Sequence, residues 1–172
     1  AARFAMVCAP FTEGFGRLYS LYGRAYLPGV MKHHSLMLRG NLQHQNLASQ
    51  NFFYKELFPR GAAYNIVATR LGAASADYQF PVWCPDGGIS SIVYFSRIRL
   101  NVYYDFARFR QAIPSVFRTF YRMHTVTSYG GEIIFDMHPL RIPAKTTTVG
   151  FYIYKPSARS GVVGGVKLSL PI

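Results

Sequence analysis

Three acidic residues in the second half of the chain, Asp105, Glu132 and Asp136, are the side chains best suited to general acid–base chemistry. Two carboxyl groups held close together can divide the roles of proton donor and proton acceptor. Arg97 and Arg99 belong to the same polar pattern, however, and neighbouring cations keep carboxylates ionised. We therefore interpret the acids as members of structural charge pairs, and we expect no enzymatic activity.

Other residues that bind metals or cofactors lack the necessary spacing. His33 and His34 are adjacent, and adjacent side chains on a strand point to opposite faces. Cys8 and Cys84 are far apart and form no ligand pattern. The sequence also contains no phosphate loop and no GxSxG motif. It therefore predicts no metal, no cofactor and no small-molecule substrate.

The chain is strongly basic, with a net charge of +12 from 19 Lys+Arg against 7 Asp+Glu. Such an excess points to an anionic partner, which could be nucleic acid, an anionic lipid or another acidic partner. The basic residues are mostly arginines, and they are scattered rather than gathered into the runs of about five or six that mark a basic arm. We expect no nucleic-acid partner.

The polar residues lie in segments where polar and apolar side chains alternate with a period of two, which is typical of β-strands. In 97–106, Arg97, Arg99 and Asp105 share one face, whereas the other face is apolar. Similar segments occur at 35–43, 75–80, 128–137, 147–154 and 162–170, with weaker ones at 2–9 and 17–27. The sequence therefore predicts about eight strands, with these charged residues on one face: Arg39, Asp77, Arg97, Arg99, Asp105, Glu132, Asp136 and Lys167.

Alternation alone also fits a soluble β-barrel, but three features favour lipid on the apolar face. The strands have the length of about 10 residues that a tilted crossing needs. The polar face mixes arginine with acids, as in a crowded lumen. Aromatic residues near strand ends are typical of an interfacial girdle, and here they are Tyr26, Trp83, Tyr94, Phe95, Tyr104, Phe106, Tyr129 and Tyr154.

The predicted connections also differ in length. Short turns at 28–32, 82–90 and 139–145 contrast with longer stretches at 46–72 and 107–124, a contrast that outer-membrane barrels show. We therefore predict an all-β, antiparallel, up-and-down transmembrane β-barrel.

Several short motifs, in the right order, resemble those of the surface-antigen barrels, the superfamily of outer-membrane-protein assembly factors and two-partner-secretion translocators. The segment 57–61, ending in Arg60-Gly61, resembles their Arg-Gly loop motif, and 74–81 resembles the strand that follows it. Residues 97–106 resemble a strand that ends in an aromatic-Asp-x-Gly signature. Residues 128–132 are similar to the opening of the next strand.

The resemblance implies that residues 1–172 are an outer-membrane β-barrel region, roughly the C-terminal half of a barrel of about sixteen strands and a piece of a longer chain. It implies a place in the bacterial outer membrane, in contact with its lipid. The expected function is insertion or translocation of proteins or lipid, with client proteins or periplasmic accessory subunits as partners. In this family the loop arginine enters the lumen, which here implies a pair between Arg60 and Asp105.

The sequence departs from the family pattern at three places. Ala62 follows Arg60-Gly61 where an aromatic is usual, Ala107 stands where the strand signature has Gly, and the last residues are Pro171-Ile172 instead of an aromatic. Two alternatives stay open. The chain could form a passive outer-membrane pore or anchor, or a soluble β-barrel that binds an acidic partner through its arginines.

Overall fold

The computed structural model of the protein describes residues 2–9, 16–46, 59–61, 68–89, 92–116, 118–139, 146–157 and 160–170. These residues form one antiparallel sheet of nine strands. The strands are β1 (Ala2–Ala9), β2 (Gly16–Pro28), β3 (Ser35–Gln45), β4 (Ala68–Trp83), β5 (Gly87–Ile89), β6 (Val93–Pro114), β7 (Thr119–Pro139), β8 (Thr147–Pro156) and β9 (Val163–Ser169). The predicted all-β, antiparallel fold is confirmed.

The strands follow one another in the order β1-β2-β3-β4-β6-β7-β8-β9, so each long strand pairs with its neighbours in sequence. The short β5 was not predicted; it folds back onto the start of β6, where Gly88 is opposite Tyr94. Within the described ranges, β1 and β9 each pair along one side only, and the sheet is open. In the same ranges, no helix has the length and hydropathy needed to cross a membrane.

Three central strands are longer than the sequence predicted. β4 begins at Ala68, and β6 and β7 contain 22 and 21 residues. The prediction of a long loop at 107–124 was wrong, because most of that segment belongs to β6, which ends at Pro114, and to β7, which begins at Thr119. The reason is an inversion of polarity. Here the buried residues are apolar, as at Phe109, and the exposed ones include Arg108, so the polar pattern of 97–106 is reversed.

The two faces of the sheet have the reverse of the polarity that a water-soluble sheet shows. We call the buried face, which carries Asp77, Asp105 and Asp136, the inner face; these three acids are 4%, 2% and 2% exposed. The opposite, outer face carries large apolar side chains that remain exposed, including Leu42, Val102, Tyr104, Tyr129, Phe151 and Ile153. Charged side chains are rarely buried in water-soluble proteins, and large exposed apolar patches are uncommon on them. The combination of the two indicates that the outer face has a partner other than water.

The inner face changes character along the strands. We call the end of the sheet where β3 ends and β4 begins the loop end, and the end where β2 turns into β3 the turn end. Toward the loop end the inner face is an apolar cluster of Ala68, Leu71, Ala73, Ala107, Phe109 and Val126, with Tyr22 packed against it. Charged side chains begin at the level of Ser75 and Asp105, which are opposite each other in register, and continue toward the turn end.

Candidate functional site

A loop arginine lies on the inner face, against β4 and β6. Arg60 Nη2 donates to Asp77 Oδ1 over 2.6 Å. The Arg60 backbone N–H donates to Asp105 Oδ2 over 3.2 Å, and the Nε atom lies 3.6 Å from the same oxygen. The structure therefore places Arg60 next to Asp105, the acid that the resemblance implied as its partner. The closer carboxylate is Asp77, which the sequence placed on the same face without assigning it to Arg60.

The guanidinium of Arg60 also stacks on an aromatic ring. Its central carbon lies 3.5 Å from the ring centroid of Tyr103, a distance at which a cation is attracted to the ring quadrupole. Sequence reasoning missed Tyr103 as part of the site. The available signal was its position, because it is an aromatic residue in the polar phase of 97–106.

The charge state of Arg60 is set by its burial and its two acids. Burial of the guanidinium lowers the pKa of Arg60, but the hydrogen bond to Asp77 and the charges of Asp105 and Asp77 raise it by more. The pKa of Arg60 is therefore above the ordinary value of an arginine. The side chain therefore stays positively charged at every pH at which the protein would be handled, and it offers Asp77 and Asp105 a constant positive charge.

A second arginine and a serine complete this cluster. Arg39 Nη2 lies 2.6 Å from Asp77 Oδ2 and donates to Ser75 Oγ over 3.0 Å. The Ser75 hydroxyl lies 2.6 Å from Asp105 Oδ1 and donates its single proton there. Ser75 can hold these positions because it is opposite both Arg39 and Asp105 in the sheet register. We call Arg39, Arg60, Ser75, Asp77 and Asp105 the loop-binding cluster; its two cations match its two anions.

The glycine of the loop motif has a steric role. Gly61 has a φ of +77°, in the left-handed region that favours glycine. A Cβ atom at this position would also collide with the ring of Tyr154. Tyr154 was predicted to belong to an interfacial girdle, but it lies against Gly61 on the inner face. Tyr104 and Phe106 were placed near a strand end in the same prediction, and they lie in the middle of the longer β6.

The remaining predicted residues form a separate group nearer the turn end. Asp136 accepts from Arg97 Nε over 3.0 Å and from Arg99 Nη2 over 2.6 Å. Glu132 lies between the two groups and, with Lys167, lines a polar cavity of about 500 Å³ that also reaches Arg39 and Arg60. Asp105 and Asp136 contact different arginines, so the two acids belong to separate groups.

The histidines at the turn end are part of the turn itself. His33 has a φ of 66°, and His34 Nδ1 lies 2.7 Å from the Tyr78 hydroxyl while its ring stacks on Phe80. In the part of the chain that the structure describes, no three His, Cys, Asp or Glu residues converge to hold a metal ion.

The chain matches no protein-family model, no curated protein and no solved structure.

Proposed function

We propose that this chain is part of a transmembrane β-barrel of the bacterial outer membrane, of the surface-antigen type, and that the barrel inserts or translocates proteins or lipid across that membrane. The observation that carries the proposal is the polarity of the sheet, which buries Asp77, Asp105 and Asp136 on its inner face and exposes large apolar side chains on its outer face.

The outer face of β6 has the dimensions of a membrane crossing. From Ile98 to Phe106 its outward positions are all apolar or aromatic, and Arg108 is the first charge beyond them. A tilted transmembrane strand needs about 9–11 residues, which matches this stretch. Val102 and Tyr104, near its middle, are 49% and 51% exposed. In water such a face promotes association, whereas in a bilayer it lies against lipid.

The open edges of the sheet are consistent with this proposal only in a closed barrel. Unpaired backbone groups in lipid cost several kcal/mol each, so β1 and β9 must pair with each other or with further strands. The resemblance to surface-antigen barrels favours further strands, which would bring the total to about sixteen.

The docked loop supports an active function more than a passive one. An anchor needs only a stable wall, but here a segment between β3 and β4 is fixed to the inner face by Asp77 and Asp105, both nearly fully buried. Because Arg60 contacts both β4 and β6, the position of the loop is coupled to the wall. In the proposed function this coupling holds the barrel in its working conformation.

The test is Arg60→Ala in the native, full-length protein, with Arg118→Ala as the matched control. Arg118 is an exposed arginine in the connection between β6 and β7, so its removal changes the charge equally without touching the inner face. We expect both variants to be recovered in the outer membrane with a folded band that shifts on boiling. Only Arg60→Ala should lower the amounts of other outer-membrane barrels, measured by quantitative mass spectrometry.

The outcomes separate the alternatives. Normal levels of other barrels in a correctly folded Arg60→Ala strain would reject insertion and translocation of proteins and leave lipid transport or a passive pore or anchor, which lipid-asymmetry and conductance measurements would distinguish. A protein that stays soluble without detergent would reject the membrane location altogether, and would return attention to a soluble barrel with an acidic partner.

A further inference from the structure

We propose that the outer face carries, at its loop end, a binding site for a phosphorylated membrane lipid. The inference rests on the proposed membrane location. The site consists of Arg70 and Arg108, with His44 beside them, at the mouth of an apolar groove on the outer surface of β2, β3, β4 and β6.

Like charges are concentrated at this place. Arg70 is directly opposite Arg110 in the register of β4 and β6, and Arg108 is opposite Gly72, the next outward position along β4. Residues opposite each other share a face, and like charges in such pairs destabilise a sheet. Arg110 is partly accommodated by the ring of Tyr121, whose centroid lies 3.9 Å from its guanidinium carbon. Arg70 and Arg108 are both exposed.

No carboxylate of the described residues lies on the outer face beside these arginines. Asp77, Asp105 and Asp136 are buried on the inner face, Glu132 lines the inner cavity, and Asp86 lies in the turn between β4 and β5. A phosphate group would supply the missing negative charge, and the planar guanidinium is suited to bind its oxygens in pairs.

The groove beside the arginines is apolar and open along the sheet. It has a volume of about 730 Å³ and is lined by Leu21, Leu42 and Gly72 between the basic residues. Leu21 and Leu42 are 48% and 60% exposed. These residues form one row across the strands, because Leu21 is opposite Leu42, which is opposite Gly72. Gly72 contributes no side chain to the groove, and the Leu42 side chain leans over it, with its Cδ2 atom 3.5 Å from where a Cβ atom of residue 72 would be.

The position of the arginines along the strands favours a lipid as the ligand. Arg108 comes directly after the apolar stretch Ile98–Phe106 of β6, and Arg70 of β4 is opposite Arg110, so in a membrane both arginines lie at the level of the headgroups. The groove runs across the strands from Arg108, at the same level. A free anion would use the arginines alone, whereas a lipid with headgroup phosphates uses both the arginines and the groove. At the loop end, which is the outer side if long loops face outward, the matching chemical class is a phosphorylated glycolipid such as lipid A.

The experiment uses the full-length protein purified in a neutral detergent, with bisphosphorylated lipid A as the probe and phosphatidylethanolamine as the neutral comparison. Retained lipid is measured by native mass spectrometry. We expect lipid A to be retained by the wild-type protein. Arg70→Gln with Arg108→Gln should weaken retention by roughly tenfold or more, as expected for loss of charge-assisted hydrogen bonds.

Two further variants make the result specific. Arg118→Gln with Arg122→Gln removes the same charge from the end of the same hairpin, outside the groove, and should retain lipid A like the wild type. Gly72→Leu fills the groove without changing charge, and should weaken retention of lipid A while leaving the folded band on a detergent gel unchanged.

Equal loss of lipid A in the Arg118/Arg122 control, or unchanged retention in the Arg70/Arg108 variant, would overturn the site. So would equal retention of lipid A and phosphatidylethanolamine, or displacement of lipid A by inorganic phosphate at the same concentration. Heat-modifiability and membrane recovery are checked first. A folded outer-membrane barrel without the lipid preference refutes this site alone, whereas a protein that is soluble without detergent refutes the proposed function.

Discussion

The ranking of the two acids that hold Arg60 leads to a quantitative prediction. Asp77 contacts both arginines of the loop-binding cluster at 2.6 Å, whereas Asp105 reaches the Arg60 side chain at only 3.6 Å. Asp77→Asn should therefore release the loop more readily than Asp105→Asn. The resemblance alone would give the opposite order, because it names only the pair of Arg60 with Asp105.

The expected magnitude follows from the burial of the partners. Removing one member of a buried ion pair costs about 3–5 kcal/mol. The Arg39 and Arg60 side chains are 22% and 31% exposed, so water recovers part of this energy and the lower end, about 3 kcal/mol, applies. For Asp105→Asn the amide oxygen can still accept from the Arg60 backbone, and we expect about 1 kcal/mol.

The assay is hydrogen exchange at the Arg60 backbone amide in the detergent-solubilised native protein. This amide donates to Asp105, so it exchanges only when the loop leaves the inner face. Asp77→Asn keeps that acceptor and should accelerate exchange by about 100-fold, while Asp105→Asn should do so by about fivefold.

Glu132→Gln is the matched control, since Glu132 lines the same cavity but is not among the described side chains bonded to Arg60. It should change the exchange rate by less than about twofold. If Asp105→Asn releases the loop and Asp77→Asn does not, the argument from side-chain distances is refuted, and the backbone hydrogen bond is the main attachment.

Two other substitutions test the outer face and the loop. Val102→Lys places a charge in the middle of the exposed apolar stretch of β6. It should lower the free energy of unfolding by about 2–4 kcal/mol if that face contacts lipid, and by close to nothing if it contacts water. Urea unfolding in lipid vesicles measures this difference, and an unchanged midpoint would argue against lipid on that face. Gly61→Ala combines a positive φ with a collision against Tyr154, and should accelerate exchange of the Arg60 amide by at least about tenfold. An unchanged rate in Gly61→Ala would show that the loop is held in another conformation.

The strands were predictable where the two faces differ in polarity. In 97–106 the apolar outward positions alternate with Arg97, Arg99 and Asp105, and the period of two was evident. Beyond Phe106 the pattern continues with its polarity reversed, since Ala107 and Phe109 are buried and Arg108 is exposed. The prediction ended the strand too early because it expected the polar residues to stay on the same face along its whole length. β5 has only three residues, too few for any period to show.

The composition of the loop-binding cluster was only partly predictable. Arg39, Asp77 and Asp105 were placed on one face by their phase in the strands, but phase does not determine which cation meets which anion. That depends on the register, which sets Ser75 opposite both Arg39 and Asp105, and on how deeply the loop enters the sheet. Neither quantity can be obtained from alternation, and the interaction of Arg60 with Asp77 was missed for this reason.

The reversal of polarity along β6 links the two proposed sites. Toward the turn end, charges are on the inner face and hold the loop through Arg60, while the outer face is apolar. Toward the loop end, the inner face is apolar and the outer face carries Arg70 and Arg108. A strand that simply crossed between water and lipid would need only the first pattern. In the proposed membrane location, the second pattern places cations at the level of the bilayer headgroups, on the same strand whose inner face contacts Arg60.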